Sequence, residues 1–220
     1  MESPGPDSGA TPITLESIGT LFKDLASRVG PEDDLAVYLI GHGSFMKDES
    51  KFQIPGEDLS AKSLEAMLAE LSAARVIVVN GTSSSAGFIN VLSGPNRVIC
   101  SATKSATESN ATEFMRFFTE ALEDGSADRD HDERISVLEA CEQAAELTAS
   151  WYTGSNLIAT EHAIRDDNGD GLGTRMPVAF ALDEGGPADA QIDGDLARSI
   201  FLKDYSFPEA APRDLIDRYL

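Results

Sequence analysis

Three short apolar runs constrain this chain most: "LAVYLI" at 35–40, "RVIVV" at 75–79 and "RVICSAT" at 97–103. Each is too short for an ordinary helix and carries β-branched residues, so each reads as a strand. Hydrophobicity that is continuous rather than alternating marks strands covered on both faces, the condition of a parallel sheet flanked by helices. The intervening segments supply the helices. Leu15, Ile18, Leu21, Phe22, Leu25 and Val29 recur at helical spacing, with Thr14 placed as N-cap and Gly30 as stop. Residues 60–72 set Leu64, Met67, Leu68 and Leu71 on one side, 111–122 carry Phe114, Phe117 and Phe118, and 136–150 read as a further helix. "PVAFAL", 177–182, is a candidate fourth strand, and short helical pieces are expected near Leu196 and Leu215. The pattern predicts one α/β domain with a mostly parallel sheet over 14–205. A flexible, Gly/Pro/Ser-rich tail at 1–13 precedes it, and a C-terminal extension at 206–220 follows.

Sheets of this class keep their chemistry beyond the carboxyl ends of the strands. Two runs empty into polar loops: "GHGSF" after Ile40 and "NGTSSSAGF" after Val79. The strands are consecutive, so the loops are expected to face each other. His42 stands between Gly41 and Gly43, which allow a sharp turn and close backbone approach. Ser83 lies 41 positions further on. An imidazole and a hydroxyl delivered to one rim are the elements of acid/base-assisted nucleophilic attack. His162, in "TEHA", and His131 read as structural and solvated respectively.

On these residues the sequence resembles the caspase-fold peptidases of the legumain type, especially bacterial caspase-like domains. In that family one strand ends in His-Gly and the next in a segment like Glu-Ala-Cys-x-Ser-Gly, about forty residues later. "IGHGS" matches the first motif. "GTSSSAGF" occupies the second, with Ser83 where the cysteine would stand, Ser85 as the following serine and Ala86-Gly87 as the small pair. "RVICSATKS" and "TEHAIRDDNGDG" also resemble the bacterial relatives, and the likeness covers roughly residues 14 to 205. It implies a caspase-like three-layer sandwich. It also implies His42 as acid/base, with the N–H groups of Gly43 and Ser83 as oxyanion donors. The nucleophile departs from the family. A thiol with a pKa near about 8.5 offers some thiolate at neutral pH, whereas a serine needs a base in hydrogen-bond contact, oriented by a third group. The expected function is therefore a peptidase-like domain without cysteine-peptidase activity, acting in binding or regulation on a polypeptide or protein partner. A hydrolase of peptides or esters using Ser83 and His42 is the competing reading. The family's first strands have no counterpart ahead of Thr14, so "LAVYLI" is expected to present an open edge that pairs with a second copy.

Acidic residues dominate the surface chemistry: 38 Asp and Glu against 17 Lys and Arg, for a net charge of -21. That balance excludes nucleic acid as a partner and suits either solubility or cation binding. No apolar run approaches the roughly 18 residues of a membrane helix, no signal segment is visible, and a cytoplasmic location is the default. Cys100 and Cys141 show no metal-type spacing and read as two partly buried thiols, a disulfide being permitted but not indicated.

"DRDHDERISVLE", 128–139, follows the EF-hand order. Asp128, Asp130 and Asp132 occupy positions 1, 3 and 5, Arg134 offers the carbonyl position, and Ser136 and Glu139 stand at positions 9 and 12. Glu133 replaces the glycine of the sharp turn. No cofactor is required by the leading reading; calcium is the one that this loop could hold, and a calcium-dependent interaction module is the third functional class. The competing reading makes Ser136 a helix cap and Glu139 its capping-box partner. "DDNGDG", 166–171, begins in the same way with Asp166, Asn168 and Asp170, but Pro177 at its twelfth position cannot ligate, so it reads mainly as a turn.

Overall fold

The structure is a computed structural model that describes residues 12–123, 125–177 and 193–204. Most of the expected tail, most of "PVAFAL" and the helix near Leu215 lie outside them. The described residues form one five-stranded mixed sheet with a three-stranded and a two-stranded sheet beside it. In sequence order come α1 (Leu15–Ala26), β1 (Asp34–Leu39), β2 (Gly43–Met46), β3 (Glu49–Phe52), β4 (Leu59–Ser60), α2 (Ala61–Leu68), β5 (Arg75–Asn80) and α3 (Gly87–Leu92). These are followed by β6 (Arg97–Ser101), α4 (Phe114–Glu123), β7 (Arg134–Ser136), α5 (Val137–Gly154), β8 (Ile164–Asp166), β9 (Thr174–Arg175), α6 (Asp195–Arg198) and β10 (Phe201–Asp204).

The main sheet runs β1-β5-β6-β8-β9. β1, β5 and β6 are mutually parallel, whereas β8 runs antiparallel to β6 and β9 antiparallel to β8. The sheet is thus mixed: its two long ladders are parallel, as expected, and the two short ladders at the β8–β9 end are antiparallel. Alternate residues of β5 face opposite layers, as a two-residue period requires. Ile77 and Val79 join Phe114, Phe118, Ala140 and Ala144 of α4 and α5, while Val76 and Val78 join Phe22, Leu64, Phe88 and Leu92 of α1, α2 and α3. Helices cover both faces. Burying a phenylalanine such as Phe118 contributes about 1.5–3 kcal/mol.

β1 corrects one expectation. Its residues alternate between exposed and half-buried, with only Leu39 buried, because Leu35, Val37 and Leu39 face the core beside Phe22 while Asp34, Ala36 and Tyr38 lie on an exposed face. Among the described residues its far side pairs with no strand.

Helix ends follow local chemistry. Thr14 accepts from the Ser17 N–H and Ser17 returns the bond, closing a capping box. Ser60 caps α2 by accepting the Ser63 N–H at 3.1 Å, without a return bond to its own backbone. α1 stops at Ala26, short of Gly30, as the Arg28 and Val29 N–H groups turn back onto Leu25 O. α4 takes its cap from far along the chain. The Glu161 carboxylate accepts the N–H groups of Glu113 (2.7 Å) and Phe114 (3.2 Å), and Tyr152 donates to it at 3.2 Å. Burial pushes the Glu161 carboxyl above its ordinary pKa, opposed by those backbone donors.

Candidate functional site

The carboxyl ends of β1 and β5 lie side by side, with Leu39 opposite Asn80 in register. The loops that follow them meet. The Ser83 hydroxyl donates to the Gly43 carbonyl at 3.0 Å and accepts the Gly43 N–H at 3.3 Å. This two-way bond needs a glycine. A Cβ on Gly43 would fall on the Ser83 carbonyl and lie 2.5 Å from Thr82 Oγ1.

The β5 loop is over-determined. Asn80 is fully buried, and its Oδ1 accepts from the Thr82 N–H (3.1 Å) and the Thr82 hydroxyl (2.8 Å), making an Asx turn at the strand end. Ser84 sits at φ 52, in the left-handed region that non-glycine residues rarely occupy. Two bonds hold it there: its N–H donates to Glu108 O at 2.8 Å, and its carbonyl accepts the Ser50 hydroxyl at 2.8 Å. Beneath it Ser101 donates to Ser85 (2.8 Å), and Thr103 Oγ1 lies 3.1 Å from Ser85 Oγ and accepts the Ala86 N–H at 3.1 Å. Backbone outliers fixed this firmly cluster at functional sites.

His42 comes from the facing loop. Its carbonyl accepts the Gln53 N–H at 2.9 Å, which anchors the β2–β3 hairpin. Its side chain is exposed, and among the described residues its imidazole makes no hydrogen bond or ion pair. His42, Gly43 and Ser83 therefore share one rim, but the serine proton is directed to a backbone carbonyl. The Gly43 N–H, expected as an oxyanion donor, is engaged by Ser83 Oγ.

Sequence reasoning missed a carboxylate–imidazole pair on this rim. Ile164 pairs with Ser101 at the carboxyl end of β6, which brings the preceding residues to the same edge. His162 Nδ1 contacts Glu108 Oε1, and Glu108 Oε2 accepts the N–H groups of Lys104 (2.9 Å) and His162 (3.2 Å). His162 ties the 104–108 loop, which supports Ser84, to the strand entering β8. Nothing local in the sequence singles out Glu108, which lies 54 positions from its partner.

The acidic loop between α4 and α5 forms a separate cluster. Ligand oxygens of Asp128, Asp130 and Glu139 lie within 4.8 Å of one another. Glu133 occupies the glycine position and adopts φ 67, the conformation that a glycine would supply. Asp128 accepts the N–H groups of Asp132 (3.1 Å) and Glu133 (3.0 Å). Asp132 and Ser136 turn elsewhere: Asp132 pairs with Arg134 at 2.8 Å, and Ser136 caps α5. Glu139 closes that capping box through Oε2 and accepts the Arg129 N–H at 2.9 Å through Oε1. The cap reading and the carboxylate cluster thus coexist. In the 166–171 loop Asp166 accepts the Gly169 (2.9 Å) and Gly171 (2.7 Å) N–H groups, as a turn does. Asp193 anchors the loop by accepting the N–H groups of Asp167 (2.9 Å) and Asn168 (3.1 Å).

No protein-family model and no curated protein matches the chain. No described helix is long and apolar enough to cross a membrane.

Proposed function

We propose that this chain is a caspase/legumain-like peptidase-fold domain that lacks cysteine-peptidase activity and acts by binding a polypeptide or protein partner. The observation that carries the reading is the closed pair between Ser83 and Gly43, with the Ser83 hydroxyl donating to a backbone carbonyl at 3.0 Å. A serine nucleophile needs its proton on a base that is itself oriented, and His42 is exposed at the rim. The adjacency of the two loops, on neighbouring parallel strands, supports the resemblance. The test is labelling with a fluorophosphonate probe. The proposal expects no adduct on wild type. An adduct that disappears in Ser83→Ala establishes the hydrolase reading in its place. Ser83→Cys is expected to react with thiol-directed peptide electrophiles, because a thiolate needs no strictly aligned base.

Calcium binding at the 128–139 loop is a second reading, favoured by the proximity of Asp128, Asp130 and Glu139 and by the left-handed Glu133. Pairing of β1 with a second copy is the proposed route by which the sheet edge is covered.

A further inference from the structure

Cys100, in β6, and Cys141, in α5, lie 41 positions apart and meet in the core. Both are fully buried. Their Sγ atoms are 2.6 Å apart. That is well inside the roughly 3.5–4.0 Å at which non-bonded heavy atoms rest, and about 0.5 Å beyond a covalent S–S bond. Around them stand alanines and aromatic rings of the α4–α5 layer and the buried guanidinium of Arg165, which bonds Glu142 (3.2 Å) and the Asp193 carbonyl (2.8 Å). Burial and the neighbouring sulfur push the Cys141 thiol well above its ordinary value, so a free thiolate does not suit Cys141.

We propose that Cys100 and Cys141 form a disulfide that staples the central strand β6 to its covering helix α5. Two S–H bonds break and one S–S bond forms. The two electrons pass to a low-molecular-weight disulfide such as oxidised glutathione, which leaves as two thiols carrying the two protons. Because both sulfurs are inaccessible once folded, exchange takes place while β6 and α5 are assembling. The closed loop contains the 102–112 segment, α4 and the acidic loop. Its strand end precedes Ser101 and Thr103, on which the Ser85 hydroxyl rests, so the staple also holds the floor of the Ser83 loop.

The test uses the full chain, reduced and unfolded, then refolded in a mixture of reduced and oxidised glutathione. The product is unfolded in guanidinium with N-ethylmaleimide and weighed intact. The proposal expects no maleimide or glutathione adduct, and two maleimide adducts when a reductant is added first. Two adducts without reductant, or glutathione on either cysteine, would overturn it. In thermal melts the oxidised protein is expected to lose about 10 °C on reduction, while Cys141→Ala melts at one temperature under both conditions. A wild-type melting temperature indifferent to reduction would refute the staple. The mass measurement decides alone if Cys141→Ala does not fold.

Discussion

Gly43→Ala tests whether the two rim loops are packed against each other as described. The added methyl would meet the Ser83 carbonyl and the Thr82 side chain, with Thr82 Oγ1 at 2.5 Å and Thr82 Cβ at 3.0 Å. Neither obstacle is the far end of a flexible side chain. Thr82 is bonded to Asn80, and the Ser83 carbonyl is backbone, so the loops must part. Overpacking of this kind costs about 1–3 kcal/mol, and loss of the Ser83–Gly43 pair adds about 1 kcal/mol. Replacing glycine by alanine restricts the unfolded chain and returns roughly 0.4–1 kcal/mol. The net expectation is a loss of about 2 kcal/mol, or roughly 4–8 °C in Tm for a domain of this size. Gly154→Ala, at the end of α5 with nothing within 4 Å of the added methyl, is the control and is expected to be neutral or stabilising. Circular dichroism melts of the two variants beside wild type provide the measurement. A Gly43→Ala melt within 1 °C of wild type, on the order of the scatter for neutral surface changes, refutes the close approach of the loops.

Three other outcomes are expected. Calorimetric titration with calcium gives heat with wild type and none with Asp128→Ala; absence of wild-type heat removes the metal reading. Glu161 has a raised folded pKa, so its contribution to stability is most favourable below the unfolded value of about 4.3. That contribution declines as pH rises through the folded value; the wild-type minus Glu161→Gln difference in unfolding free energy should follow this fall, and a flat difference refutes the assigned shift. Light scattering should return twice the chain mass if β1 pairs with a second copy, and a single-chain mass across the micromolar range rules that pairing out.

Much of the layering is written locally. Thr14, Ser60 and Ser136 announce their helices because a cap acts within three residues. "RVIVV" and "RVICSAT" announce buried strands by composition alone. "LAVYLI" has the same composition but is covered on one face only; its edge position was expected from the resemblance, since no local pattern tells a strand which neighbours it will have. β8 escaped notice because it carries Arg165 and Asp166, both buried, and charges inside a strand read as loop. The β2–β3 hairpin turns through Lys47 at φ 53 and Asp48 at φ 60, where the recognisable signal would be Asn-Gly. At the site, His42 and Ser83 were legible as residues following strands. The direction of the serine proton was not, for it depends on contact across 40 positions.

The remote cap on α4 has a consequence for how the chain matures. The groups that terminate this helix arrive nearly fifty residues after its first turn has been made. During synthesis from the amino end, that turn waits with its leading amides in water until Glu161 has emerged and docked. α4 is thus closed from behind, and any change that misplaces the entry to β8 will be felt first as fraying at Phe114.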